Sequence, residues 1–99
     1  MWQLELNQDH VVKLNYEDDN LPPFTKEFKP ILFKENDMFC CLLGPDPKHG
    51  IFGYGRTILS AVRDWEMHFK NRLYHHEKND AVAKFIWFKI NQLNRTAVN

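Results

Sequence analysis

Ile58, Val62, Trp65, Phe69 and Leu73 are separated by four, three, four and four residues. That spacing places all five on one side of a helix. A helix with one wide apolar stripe has to cover another element, and a chain of 99 residues has room for one core. Arg63, Asp64, Glu66, Lys70 and Asn71 fall off the stripe. The pattern predicts a helix from about Ile58 to His76. Thr57 is its expected N-cap, because a threonine hydroxyl can accept from the first free amides of a helix.

The elements it would cover lie earlier in the chain. Pro30 to Lys34 reads as a strand, Asn36-Asp37 as a tight turn, and Met38 to Leu43 as a short, continuously apolar run. Such a run, bounded by turns, predicts a central strand covered on both faces. Gly44 to Gly50 holds two prolines and two glycines in seven residues, which is loop chemistry, and Ile51 to Gly55 reads as a further short strand. At the start of the chain, Trp2, Leu4 and Leu6 alternate with Gln3 and Glu5, and Val12, Leu14 and Tyr16 alternate with Lys13 and Asn15. Period two predicts an N-terminal hairpin over residues 1–17. Residues 17–29 are expected to be a surface connector, since Pro22 and Pro23 exclude a helix or ladder interior. Pro30 biases Lys29 toward extended geometry. Beyond the long helix, Asn79-Asp80 marks a break. Val82, Phe85, Ile86, Lys89, Ile90 and Leu93 then follow helical spacing. The run Phe85 to Phe88 also fits a strand, but a second helix over residues 80–94 is preferred. The expected fold is a single α+β domain: a small antiparallel sheet, made of the hairpin and about three further strands, packed against one long helix and followed by a C-terminal helix.

Composition narrows the class. Hydrophobic residues at 43% and charged residues at 26% lie near the globular average, which argues against disorder. No run of 18 apolar residues is present, so no membrane span is expected. The N-terminus lacks the basic start and apolar stretch of a signal peptide. Cys40 and Cys41 are adjacent, and a disulfide between strand neighbours would be strained. Two thiols suit a reducing compartment, and the expected location is cytoplasmic. Charge is segregated: residues 1–37 carry a net −4 and residues 38–99 a net +4.

Chemistry-bearing clusters are not apparent. His68 and His75 are seven apart, two turns along one helix, which is too far to share an ion. His75 and His76 point about 100° apart around the axis, and the cysteines lack CxxC spacing. A catalytic thiol would need a histidine base and an exposed thiolate, whereas both cysteines sit in the most apolar strand. Gly53-Tyr54-Gly55 is not a phosphate loop, having neither a following Lys-Thr/Ser nor a GxGxxG frame. No enzyme activity, metal or cofactor is expected.

One frame carries more information. Gly50, four residues, Gly55, one residue, Thr57, three residues and Ala61 follow Pro45-Asp46-Pro47. The glycines relieve steric limits where loop becomes strand and strand becomes helix, Thr57 caps, and Ala61 lets the helix settle on the strands. This frame resembles the HicB-like family over about residues 30–75, within a core of 30–78. The resemblance implies a partial RNase H-like or double-stranded-RNA-binding-like sheet with one packed helix. It also implies a role as an antitoxin that masks a small ribonuclease toxin. An RNase H-like metal cluster is not implied, because the strand positions that would carry it are Ile31, Phe33, Cys40 and Leu42. About 20 residues follow the long helix, too few for the helix-turn-helix domain that many such antitoxins carry.

The expectation is therefore a binding module that inhibits a basic protein partner. That partner would be a toxin nuclease or, in a phage or mobile-element setting, a nucleic-acid-handling defence protein. Glu17, Asp18 and Asp19 would meet it by charge complementarity. Asp46, His49 and Tyr54, beside the family-like frame, are the second expected contact. Trp2, Phe24, Phe28 and Trp87 look like spare aromatics, and a homodimer is expected to cover them. The rival reading is RNA or single-strand binding, with Arg56, Arg63 and Lys70 near phosphates and Phe52 and Tyr54 stacking on bases. Asp64 and Glu66 interrupt that basic patch, and the net charge is zero.

Overall fold

The computed structural model describes residues 10–98, with side chains up to Leu93. Six elements follow in order: α1 (Pro23–Phe28), β1 (Ile31–Glu35), β2 (Met38–Leu43), β3 (Ile51–Gly55), α2 (Ile58–Tyr74) and α3 (Ala81–Val98). The strands form an antiparallel meander in the order β1-β2-β3. The fold is α+β, as the sequence pattern predicts.

Register decides which residues meet the helix. Leu32 opposes Cys41, and Cys41 opposes Gly53. Strand alternation therefore puts Leu32, Cys41, Leu43, Ile51 and Gly53 on the inner face. There they join Val62, Trp65, Phe69 and Leu73 of α2 in the main core. Phe33, Cys40 and Leu42 form a smaller cluster on the outer face, with Phe52 against it. The central strand β2 is thus buried on both faces at Cys40, Cys41 and Leu42.

Trp65 is the centre of the core. It is fully buried, its ring lies 5.1 Å from that of Phe69, and its indole N–H donates to the carbonyl of Ile51 at 3.0 Å. The helix can come this close because Gly53 has no side chain. A Cβ at Gly53 would collide with the Trp65 backbone and stand 2.8 Å from the Trp65 Cβ. Gly55 permits the same approach near the start of α2, where a Cβ would stand 2.8 Å from the amide nitrogen of Ala61. Thr57 caps α2: its hydroxyl accepts from the Ser60 amide at 3.0 Å, and the Ser60 hydroxyl accepts in return from the Thr57 amide at 3.0 Å.

Several expectations need correction. The first strand of the expected hairpin, residues 2–6, lies outside the described residues. The second, residues 12–16, is not a strand. It meets the sheet through one bridge, Val11 to Phe33, and one bond from the Val12 amide to the Leu32 carbonyl. Val12 and Leu14 alternate because they rest against the core edge, not because they belong to a ladder.

The expected connector over 17–29 contains a helix. Pro22 is the N-cap residue of α1 and Pro23 sits in its first turn, where a missing N–H costs nothing. Phe24 and Phe28 are not spare. Phe24 stacks on Phe69 at 4.5 Å, and Phe28 is buried with its ring 4.9 Å from Phe69. Lys29 is left-handed at φ 51°, against the pre-proline bias, because it ends α1. At the other end, α2 stops at Tyr74, two residues before His76, and α3 runs to Val98, beyond residue 94. Residues 81–93 are helix, with Val82 and Ile86 in the main core.

Trp65→Ala is expected to destabilise the domain by roughly 3–5 kcal/mol. Gly53→Ala should cost about 1–3 kcal/mol, since the helix has to shift to admit one methyl group. Urea melts of both variants check this. An unchanged midpoint in either would contradict the close helix–sheet contact.

Candidate functional site

Helix α2 carries different chemistry on its two flanks. Glu66 lies close to the opposite side of the helix from Asp64 and His68, being two residues from each.

On the Glu66 side the helix receives α1. Periodicity places Glu66 off the core stripe, yet the residue is 6% exposed. Its carboxylate accepts from the Phe24 amide at 3.2 Å, the Thr25 amide at 3.1 Å and the Thr25 hydroxyl at 3.0 Å. A buried carboxylate is tolerable when its lone pairs are filled by hydrogen bonds. The pairing is long-range, so no local pattern reveals it. It pins α1, and with it the preceding turn.

That turn holds Glu17, Asp18 and Asp19, all exposed. Its backbone is closed by bonds from the Asp18 amide to the Asn15 carbonyl and from the Leu21 amide to the Asp18 carbonyl, both 3.1 Å. Two side chains reinforce it: Asn15 Oδ1 accepts from the Glu17 amide at 3.1 Å, and Asp18 Oδ1 from the Asn20 amide at 2.9 Å. Such turns are what Asn and Asp side chains favour. Asp19 is paired with Lys26 of α1 at 2.7 Å, which holds its carboxyl below the usual range. Glu17 and Asp18 have no ion-pair partner among the described residues.

On the other flank, the loop of residues 44–50 and the outer edge of β3 meet α2. Asp46 and His49 do come together, but with each other. Asp46 Oδ1 accepts from the Lys48 and His49 amides at 2.9 and 2.8 Å, and the His49 ring nitrogen Nδ1 lies 3.0 Å from the same carboxylate. These bonds depress the Asp46 pKa, the His49 side chain first among them. Asp46 is thus committed to shaping the loop. His49 borders a surface cavity of about 580 Å³ that Lys48, Arg72, His75, His76 and Asp80 also line. Tyr54 is 56% exposed on the outer sheet face at the β3 edge. Its amide donates to Asp64 Oδ2 at 3.0 Å. No contact joins Glu17, Asp18 or Asp19 to Asp46, His49 or Tyr54 among the described residues. The six residues singled out in the sequence form two separate surfaces.

Arg72 holds the second surface together. Its guanidinium donates to Gly50 O at 3.1 Å, to His49 O at 2.7 Å and to both carboxylate oxygens of Asp80. A forked cation is suited to this, because five donors leave it in a fixed plane. Asp80 in turn accepts from the Ala83 amide at 3.0 Å, capping α3. One side chain therefore connects the loop, the end of α2 and the start of α3. Its role was hidden in the sequence, where Arg72 reads only as a cation in the last turn of a helix.

Burial governs the thiols. Cys41 is pushed up to about 12, chiefly by desolvation, and Cys40 is also raised by burial. Both shifts disfavour the thiolate, the form that attacks. Among the described residues, no three His, Cys, Asp or Glu side chains converge as a metal site, and no helix is long and apolar enough to cross a membrane. Comparison with protein-family models, curated proteins and solved structures finds no match.

Two pH effects follow. Asp80 is held below its ordinary value of 3.8, first by its hydrogen bond to Arg72. Its contribution is present above that value and is lost as pH falls through the depressed one. Acid melts of the wild type should show this loss below about pH 4, and Asp80→Asn should lessen it, leaving the part due to Asp19 and Asp46. Cys41 has the opposite sense. Its stabilising effect is full below the ordinary thiol value of 9.0 and is lost as pH rises toward about 12. Cys41→Ser should weaken the alkaline loss seen in melts across that range. An alkaline slope identical to the wild type would contradict the assignment.

Proposed function

We propose that the protein is a non-enzymatic binding module that masks a basic protein partner through the acidic turn Glu17-Asp18-Asp19. The observation that carries this reading is the construction of the turn. Its backbone is fixed by four hydrogen bonds, and it is anchored to the body through α1 and Glu66. Yet the Glu17 and Asp18 side chains are exposed and have no ion-pair partner among the described residues. Like charges fixed on an exposed turn are suited to steering and docking an oppositely charged surface.

The resemblance to HicB-like antitoxins supports the same class. Three antiparallel strands followed by a helix that packs on them, with Gly55, Thr57 and Ala61 at the junction, are the arrangement that resemblance implies. The partner would be a toxin nuclease or a nucleic-acid-handling defence protein, in the cytoplasm. Tyr74, Trp87 and Phe88 are exposed, and a homodimer would cover such aromatics. Trp2 lies outside the described residues.

Affinity capture from lysate of the source cell, with and without nuclease, should retain a basic protein after nuclease treatment. Binding kinetics then test the site. Replacing Glu17, Asp18 and Asp19 by Gln, Asn and Asn should slow association by roughly tenfold and flatten its salt dependence. The thermal melt should stay within about 0.5 kcal/mol of the wild type. Capture of nucleic acid alone, with no protein surviving nuclease, would end this reading.

A further inference from the structure

The outer edge of β3, which pairs with no strand among the described residues, borders a second recessed site that the acidic turn does not touch. Phe52, Tyr54, His68, Asn71, Arg72 and Pro47 line a cavity of about 380 Å³, the size range of small-ligand pockets. One wall is aromatic. The Phe52 and Tyr54 rings stand 6.1 Å apart at 32°, and Phe33 continues the row 6.5 Å from Phe52. The other wall is polar and comes from α2. Arg72 is immobilised by its carbonyl and carboxylate acceptors, and His68 Nε2 lies 3.5 Å from Asp64 Oδ1.

Two groups in this site have no internal role. The Tyr54 hydroxyl and the Asn71 side-chain amide make no hydrogen bond among the described residues, and both residues are exposed. An amide offers a donor and an acceptor side by side, which matches the edge of a nucleobase. An exposed aromatic ring beside it offers a stacking surface for the base plane. Cations flank the edge: Lys48 precedes β3 and Arg56 follows it, both exposed. Asp64 accepts from the Tyr54 amide at 3.0 Å and does not line the cavity.

We propose that this cavity binds an unpaired nucleobase of a single-stranded nucleic acid. Tyr54 is the stacking platform, Asn71 reads the base edge, and Lys48 and Arg56 contact the flanking phosphates. A duplex is disfavoured, because a paired base has to be unpaired and unstacked, at a cost in free energy, before it can enter the recess. This surface is separate from the one proposed for the protein partner, and either stands if the other fails.

The test is fluorescence anisotropy with labelled homopolymeric single strands of RNA and DNA, alongside the matching duplexes. Single strands should bind and duplexes should bind at least about tenfold more weakly. Tyr54→Ala should weaken single-strand binding by about 5- to 100-fold, whereas Tyr54→Phe should retain it. Asn71→Ala should change the preference among homopolymers more than the mean affinity. Replacing Glu17, Asp18 and Asp19 should not weaken strand binding, which separates this site from the acidic turn. Thermal melts establish that each variant is folded. Failure of every single strand to bind, equal binding of duplex, or unchanged binding by folded Tyr54→Ala would overturn the proposal.

Discussion

The contact between Trp65 and Gly53 is the constraint on which the rest of the structure depends. Because Gly53 lacks a Cβ, α2 lies directly on β3 and the indole reaches the Ile51 carbonyl. That distance sets where both flanks of α2 fall. One flank comes to the β3 edge, so Asp64 can hold the Tyr54 amide and Arg72 can reach the 44–50 loop. The other is left open for α1, which Glu66 receives. A helix held farther from the sheet would lose these bonds together, because each spans only about 3 Å and has little freedom to stretch.

The two polar anchors have different physical logic. Glu66 is a buried carboxylate that replaces water with three donors from α1, so α1 and its carboxylate depend on each other. Removing either partner leaves the other unsatisfied in a dry place, which is the costly case. Arg72 and Asp80 form a partly buried pair that also satisfies two loop carbonyls and a helix cap. Surface ion pairs alone contribute little. This one matters for position more than for energy, since three chain segments converge on it. The acidic turn and the β3 recess thus rest on separate supports.

What the sequence made legible was whatever depends on local periodicity. The α2 stripe, the Thr57 cap, the β2 run and the loop chemistry of residues 44–50 all appear where the pattern places them. Pairings across long sequence separations were not legible. Glu66 reads as a surface acid until Phe24 and Thr25 are seen beside it, more than 40 residues away. Pro22-Pro23 reads as a break, although a proline in the first helical turn is favourable, and six residues are too few to show a period. Val12, Leu14 and Tyr16 alternate like a strand because they line the core edge without forming a ladder. Of the site residues, Glu17, Asp18, Asp19 and Tyr54 were legible as exposed groups. Asp46 was legible as a loop residue, but its commitment to His49 was not. Asn71 and His68 carried no signal, because nothing in a helical pattern tells which flank will meet the edge of a sheet.

In the function proposed above, the acidic turn docks a basic protein while the β3 edge stays uncovered by that partner. Amide chemical-shift mapping of the labelled protein, titrated with the captured partner, tests it most directly. Shifts should concentrate on residues 15–21 and the adjoining start of α1, with the amides of Tyr54 and Asn71 unchanged. Shifts centred on β3 and residues 44–50, with residues 15–21 silent, would contradict it.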